Sequence, residues 1–177
     1  MFVTGVQVYK NLAWLNGLSS DEAEAVFLDC CGSSEWARRM ANARPFSLLE
    51  DLYQAADLIW FSLSRVDWLE AFAAHPRIGS GEPAESQQKQ ASDWSAGEQS
   101  GMKDAGEDVR QQLAEANRLY LKKFGFIFIV CATGRSADEM LAICKARYGN
   151  SAGTELTIAS EEQFKITEIR LNKLLER

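Results

Sequence analysis

An all-α fold, a single compact multi-helix domain, is what this sequence predicts, and three observations predict it. Apolar residues recur at intervals of three and four along most of the chain, and S-x-x-E spacings of the kind that open helices stand at Ser47–Glu50 and Ser95–Glu98, among others. The third observation is that the one run dense in β-branched and aromatic residues, "GFIFIVCATG", has no second run to pair with.

Taken in order, short helices are expected over 20 to 30 and 34 to 42. In "RPFSLLEDLYQAADLIWFSL", Ser47 and Glu50 have the capping-box spacing. Leu49, Leu52, Tyr53, Ala56, Ile59, Trp60 and Leu63 follow at helical intervals, which predicts a helix over 47 to 63. Another is expected over 66 to 74, with Trp68, Leu69, Phe72 and Ala73 on one side. Residues 80 to 93 are polar and rich in Gly, Ser and Gln, and read as a surface loop with room for one helical turn. "EDVRQQLAEANRLYLKKFG" puts Val109, Leu113, Ala116, Tyr120 and Phe124 on one stripe and stops at Gly125, a natural C-cap. Helices over 137 to 148 and 154 to 175 complete the set. With no internal repeat and no change of composition, residues 1–177 are expected to form one domain.

"GFIFIVCATG" stands apart. An unpaired buried strand leaves its N–H and C=O groups unsatisfied. Either the segment near 126–133 becomes helical under tertiary pressure, or it is extended and something else satisfies its main chain, a polar ligand being one candidate.

Composition narrows the function. A chain of 177 residues that is 46% hydrophobic, with five Trp and nine Phe, can bury a core without metal or disulfide support. Lys and Arg total 19 against 25 Asp and Glu, a net charge of −6, which argues against nonspecific binding to nucleic acid or anionic membranes. No run has the apolar length of a membrane span, the start lacks signal-peptide features, and "LLER" is not a peroxisomal address, so a cytoplasmic location is expected. Cys30, Cys31, Cys131 and Cys144 form no C-x-x-C, and one histidine supplies a zinc site poorly. Cys30 and Cys31 are expected to pack as small apolar side chains. The absence of G-x-G-x-x-G, Walker and G-x-S-x-G motifs disfavours nucleotide-cofactor and α/β-hydrolase chemistry.

Three places carry candidate chemistry. His75, the only histidine, stands before Pro76 in "FAAHPRIGSGEP". The proline disfavours α geometry at residue 75, which puts the imidazole at a helix exit. It is there either as a cap or as a group for proton transfer near neutral pH. In "SDWSAGEQSG", Ser95 and Glu98 again read as a capping box, with Gly97 in the first turn of the next helix. A helix N-terminus there would offer free N–H groups to substrate oxygens, and Glu98 would either cap or turn toward substrate. Arg170, between Ile166 and Leu174 at helical spacing, is either a snorkelling surface arginine or an anion clamp. Arg147, in "KARYGN", has a weaker version of the anion-clamp claim and otherwise reads as a helix-end residue.

"HPRIG", then "S-x-x-EQ", then "KFGF-x-FI" occur in that order, with "CCGSSEWA", "RPF" near residue 44 and a C-terminal "RL". This collinear set resembles the 2-oxo-4-hydroxy-4-carboxy-5-ureidoimidazoline (OHCU) decarboxylases of urate degradation. The resemblance implies an all-α, cofactor-free and metal-free enzyme, commonly a homodimer, that converts OHCU to (S)-allantoin and carbon dioxide. It implies His75 as the acid/base group and Glu98 as its assistant. It further implies substrate contacts at Pro76, Ser95, Ala96, Gly97 and Gln99, at the main chain of Phe128, Ile129, Val130, Cys131 and Ala132, and at Arg170. One departure is Ile127, where the family often has proline in "FGFPF"; the change alters backbone stiffness at a binding segment. Two other functions stay open on sequence: a non-catalytic helical ligand-binding module, and acid/base chemistry on a related hydantoin-like or ureido substrate.

Overall fold

The structure is a computed structural model and describes residues 5–78, 89–98, 100–102 and 105–176. Among the described residues it is built from α-helices, one 3₁₀ turn and irregular connections, with no strand, so the all-α expectation holds. The helices are α1 (Gly5–Gly17), α2 (Ser20–Cys31), α3 (Ser34–Asn42), α4 (Leu49–Phe61), α5 (Arg65–Ala73), α6 (Lys89–Glu98), α7 (Glu107–Phe124), α8 (Ala137–Arg147) and α9 (Ala152–Leu175), with the 3₁₀ turn at Ser100–Met102. No described helix is long and apolar enough to cross a membrane.

The chain divides into two compact units, Met1–Glu70 with Phe164–Arg177, and Ala71–Gln163. In the first unit the core is aromatic. Phe27 meets Trp36 and Phe46 edge-on at 5.8 and 6.5 Å, and the buried Trp36 indole donates to Ala56 O at 3.1 Å, which ties α3 to α4. Helix ends are satisfied by side chains, since their last carbonyls have no intrahelical partner. Arg44 donates to the carbonyls of Leu15, Leu18 and Ala41, and Asn11 donates to Leu175 O at 2.7 Å. Cys30 and Cys31 are fully buried, as expected, and burial pushes the Cys31 thiol up to about 12.

The start signals differ from those expected. α4 is not opened by Ser47 and Glu50: the carboxylate of Asp51 accepts the Ser47 and Leu48 N–H groups at 3.1 and 2.9 Å. Full capping boxes instead join Ser19 to Glu22 before α2 and Ser136 to Glu139 before α8. α1 was not among the expected helices.

In the second unit Tyr120 of α7 is the hub. Its ring lies 4.6 Å from Phe124, 5.9 Å from Phe126 and 5.4 Å from Phe128, and Phe72 packs on Phe126 at 5.4 Å. The buried face of α7 is Leu113, Asn117, Tyr120 and Phe124, so a polar residue stands where the predicted stripe had Ala116. α7 ends at Gly125 with φ +79°, the left-handed C-cap that the sequence predicts. On α5, Ala71 and Phe72 are buried while Ala73 is exposed, one position from the expected face.

Candidate active site

His75 lies just past the end of α5, where its N–H donates to Phe72 O at 3.2 Å, and it is half-buried, as is Pro76. The turn is anchored on both sides. Before it, Phe72 packs against Phe126; after it, the buried Asn117 amide donates to Ile78 O at 3.1 Å and to Leu113 O at 3.1 Å. Asn117 is therefore in the core to close this turn, because a buried carbonyl such as that of Ile78 needs a donor. A helix exit at His75 is what Pro76 predicts.

Ser95 and Glu98 are buried, at 3% and 7% exposure, but they do not open a helix. They occupy the last turn of α6, which begins at Lys89, so the surface-loop expectation is overturned for residues 89 to 93; residues 79–88 lie outside the described residues. The correction inverts the electrostatics. The N–H groups at 95 to 98 fall inside the helix ladder, and its C-terminal end is the negative end of the dipole. This end of α6 therefore offers acceptors, the Glu98 carboxylate among them, and not free N–H donors. Gly97 is exposed, and a Cβ added to it meets nothing within 4 Å. Gln99 and the side chain of Ala96 lie outside the described residues.

Residues 126–133 are neither helix nor strand; three side chains hold part of their main chain, and the Arg135 N–H donates to Ala132 O at 3.0 Å. The Glu162 carboxylate accepts the Cys131 N–H at 2.8 Å, Arg135 Nε donates to Cys131 O at 3.0 Å, and Arg147 Nη1 donates to Ile129 O at 2.8 Å. Phe128, Ile129, Val130 and Ala132 are buried, and Cys131 is partly exposed. The Cys131 thiol is pushed up, first by burial and then by the charges of Glu162 and Glu98, against a main-chain bond from Thr133 and the charge of Arg135. The charge of Glu98 thus acts on the Cys131 thiol.

Arg147 is no mere helix-end residue. Its side chain is 9% exposed and pairs with the fully buried Glu155 at 2.5 Å, while its guanidinium stands 4.9 Å from the centre of the Phe128 ring. Tyr120 OH also donates to Glu155, and Asn150 donates to the second Glu155 oxygen at 2.7 Å. Burial, then the bond to Glu155, pushes the Tyr120 hydroxyl's pKa up. Sequence reasoning passed over Glu155, Glu162 and Asn117; of these only Asn117 carried a signal, a polar residue whose helix neighbours at three and four, Leu113, Ala114, Tyr120 and Leu121, are all apolar.

Arg170 belongs to the first unit and is 2% exposed, which overturns the surface-arginine alternative; its Nη1 lies 3.4 Å from Asp29 O. A groove of about 510 Å³ between α7 and α8, lined by Gln112, Leu119, Cys144 and Tyr148 among others, contains none of the expected site residues.

Gly101 was also missed. A Cβ there would stand 2.0 Å from Arg135 O, so only glycine lets the 3₁₀ turn after Glu98 approach the residue that holds Cys131 O. Gly101→Ala is expected to lower stability by about 1–3 kcal/mol through overpacking against main chain. Urea denaturation measures the loss, and faster thiol labelling of Cys131 would report the accompanying displacement.

Comparison with known proteins identifies the family. A family model described as OHCU decarboxylase matches residues 16–172. The chain is 50% identical over 147 residues to the uric acid degradation bifunctional protein TTL of Arabidopsis thaliana, a match covering 82% of this chain and 45% of that protein. It is 28% identical over 161 residues to the 2-oxo-4-hydroxy-4-carboxy-5-ureidoimidazoline decarboxylase of Haloferax volcanii, covering 90% of this chain and 93% of that one. A solved structure, the crystal structure of OHCU decarboxylase in the presence of (S)-allantoin, is 41% identical with a TM-score of 0.75, covering 90% of this chain and 100% of the other. The chain spans 45% and 32% of the two bifunctional relatives from Arabidopsis thaliana and Bacillus sp..

Proposed function

The chain belongs to the OHCU decarboxylase family, and from that premise we propose that it converts OHCU to (S)-allantoin and carbon dioxide without a cofactor. The observation that supports this most is that the His75 turn, Glu98 and the 128–132 main chain fall in one compact unit, with the Glu98 charge acting on the Cys131 thiol and the His75 turn packed through Phe72 on Phe126.

The chemistry asks little beyond placement. The bond to the carboxylate breaks, carbon dioxide leaves, and the electron pair left behind flows toward the neighbouring ring C=N. The ring nitrogen that receives the pair takes up a proton; the hydroxyl-bearing carbon becomes the carbonyl of allantoin as its hydroxyl proton departs, and the ureido-bearing carbon takes a proton on one face. The protein supplies orientation, stabilisation of the electron-rich intermediate and that proton. In this proposal His75 delivers the proton, with Pro76 directing it. Glu98, at the acceptor end of α6, takes hydrogen bonds from ring or ureido N–H groups, with the Ser95 hydroxyl, Ala96, Gly97 and Gln99 around it. The main chain of 128–132 grips the remaining polar edge. Arg170 holds a carboxylate or carbonyl oxygen, an assignment that rests on the family resemblance alone. A homodimer in the cytoplasm and a single functional domain over 1–177 belong to the same proposal; the family match runs through both compact units.

The test is turnover of freshly generated OHCU followed by chirality. Accelerated formation of (S)-allantoin is expected, at a rate that chelators leave unchanged. Racemic product at the uncatalysed rate, or binding without turnover, would overturn the proposal.

A further inference from the structure

The three side chains that hold the main chain of the 126–133 segment do so selectively. In extended backbone the N–H and C=O of one residue point to one edge and those of the next residue to the opposite edge. Phe126 and Phe128 both meet the Tyr120 ring, the period of two that an extended segment produces. The groups held by protein side chains are those of residues 129 and 131: Ile129 O by Arg147, Cys131 O by Arg135, and the Cys131 N–H by Glu162. One edge is therefore gripped by side chains that stand in for a neighbouring strand, and the main chain of Val130 is turned to the other.

We propose that Glu162 is a positioning residue for the reaction: by holding the Cys131 N–H, together with Arg147 on Ile129 O, it fixes the edge that the 128–132 main chain turns to the substrate. The inference rests on the OHCU reading for the identity of the substrate, but not for the role of Glu162 in the segment. Glu162 is suited to it: 8% exposed, carried on α9, and an acceptor for the N–H between two carbonyls that arginines hold. Glutamine retains an acceptor of the same reach at this position. Alanine retains none, and aspartate keeps the charge but withdraws it by one methylene.

Three variants therefore separate positioning from charge. Glu162→Gln is expected to keep KM and kcat for OHCU within about threefold of wild type, since the acceptor remains. Glu162→Ala and Glu162→Asp are expected to raise KM about ten- to a hundredfold with kcat largely kept, the pattern of lost ground-state and transition-state binding alike. Glu162→Asp keeps the test in force if the alanine variant fails to fold. Thiol labelling needs no turnover. Cys131 is the one cysteine that is not buried, and loosening its main chain in the alanine and aspartate variants should speed its modification several-fold over wild type at matched pH. A glutamine variant as impaired as alanine, or alanine and aspartate variants with wild-type KM and labelling, overturns the proposal. If wild type shows no turnover of OHCU but the labelling pattern holds, the substrate assignment fails and the role of Glu162 in the segment stands.

Discussion

Replacing His75 by alanine is expected to cut kcat for OHCU by about 10²–10⁴-fold, the usual contribution of a positioned proton donor, while the melting temperature stays close to that of wild type. The turn survives the change because its anchors are elsewhere. Phe72 stays on Phe126, Asn117 still holds Ile78 O, and the bond from residue 75 to Phe72 O is main chain. Residual product should also lose its chirality, since unassisted protonation reaches both faces of the ring. A folded His75→Ala variant with normal stereospecific turnover would remove the histidine from the mechanism.

The second large effect falls on stability. Arg147→Ala is expected to cost about 3–5 kcal/mol, because it leaves the fully buried Glu155 carboxylate without its cation and Ile129 O without its donor. For a chain of this length that corresponds to a fall of roughly 6–20 °C in Tm. The double change Arg147→Met with Glu155→Leu should be less damaging than either partner's loss alone, since no unpaired charge is then buried. Thermal and urea unfolding check both statements. A single variant as stable as wild type would mean that the pair is solvated in solution.

These expectations separate what was legible in the sequence from what was not. The helices over 20 to 30 and 34 to 42 and the stop at Gly125 were legible, because amphipathic spacing and a left-handed glycine cap are local features that tertiary contacts here reinforce. The capping boxes were legible only as spacings. Ser47 with Glu50 and Ser95 with Glu98 have the same letters as Ser19 with Glu22, yet only the last pair caps, because the box works only when its first residue coincides with a helix start. At Ser95 the helix had already begun at Lys89, and the chemistry of that corner changed from donor to acceptor.

His75, Glu98 and the motif after Gly125 were singled out by residue type and by resemblance, and the apolar run without a partner was noticed as an anomaly. Its solution was not readable. Arg147, Glu155 and Glu162 are charged residues on helices, and charge on a helix ordinarily means a solvated face. Only folding brings Arg147 and Glu162 from separate helices to the same edge of residues 129–131, where their burial is tolerated because each finds a main-chain partner or an opposite charge. By itself, then, the sequence determined the helical class, most helix positions and the residue types available for proton transfer, since these depend on periodicity and side-chain chemistry. Which polar side chains replace a missing strand, and which edge of the segment is left to a ligand, the tertiary structure alone decided, because hydrogen bonds between residues far apart in the chain leave no local pattern.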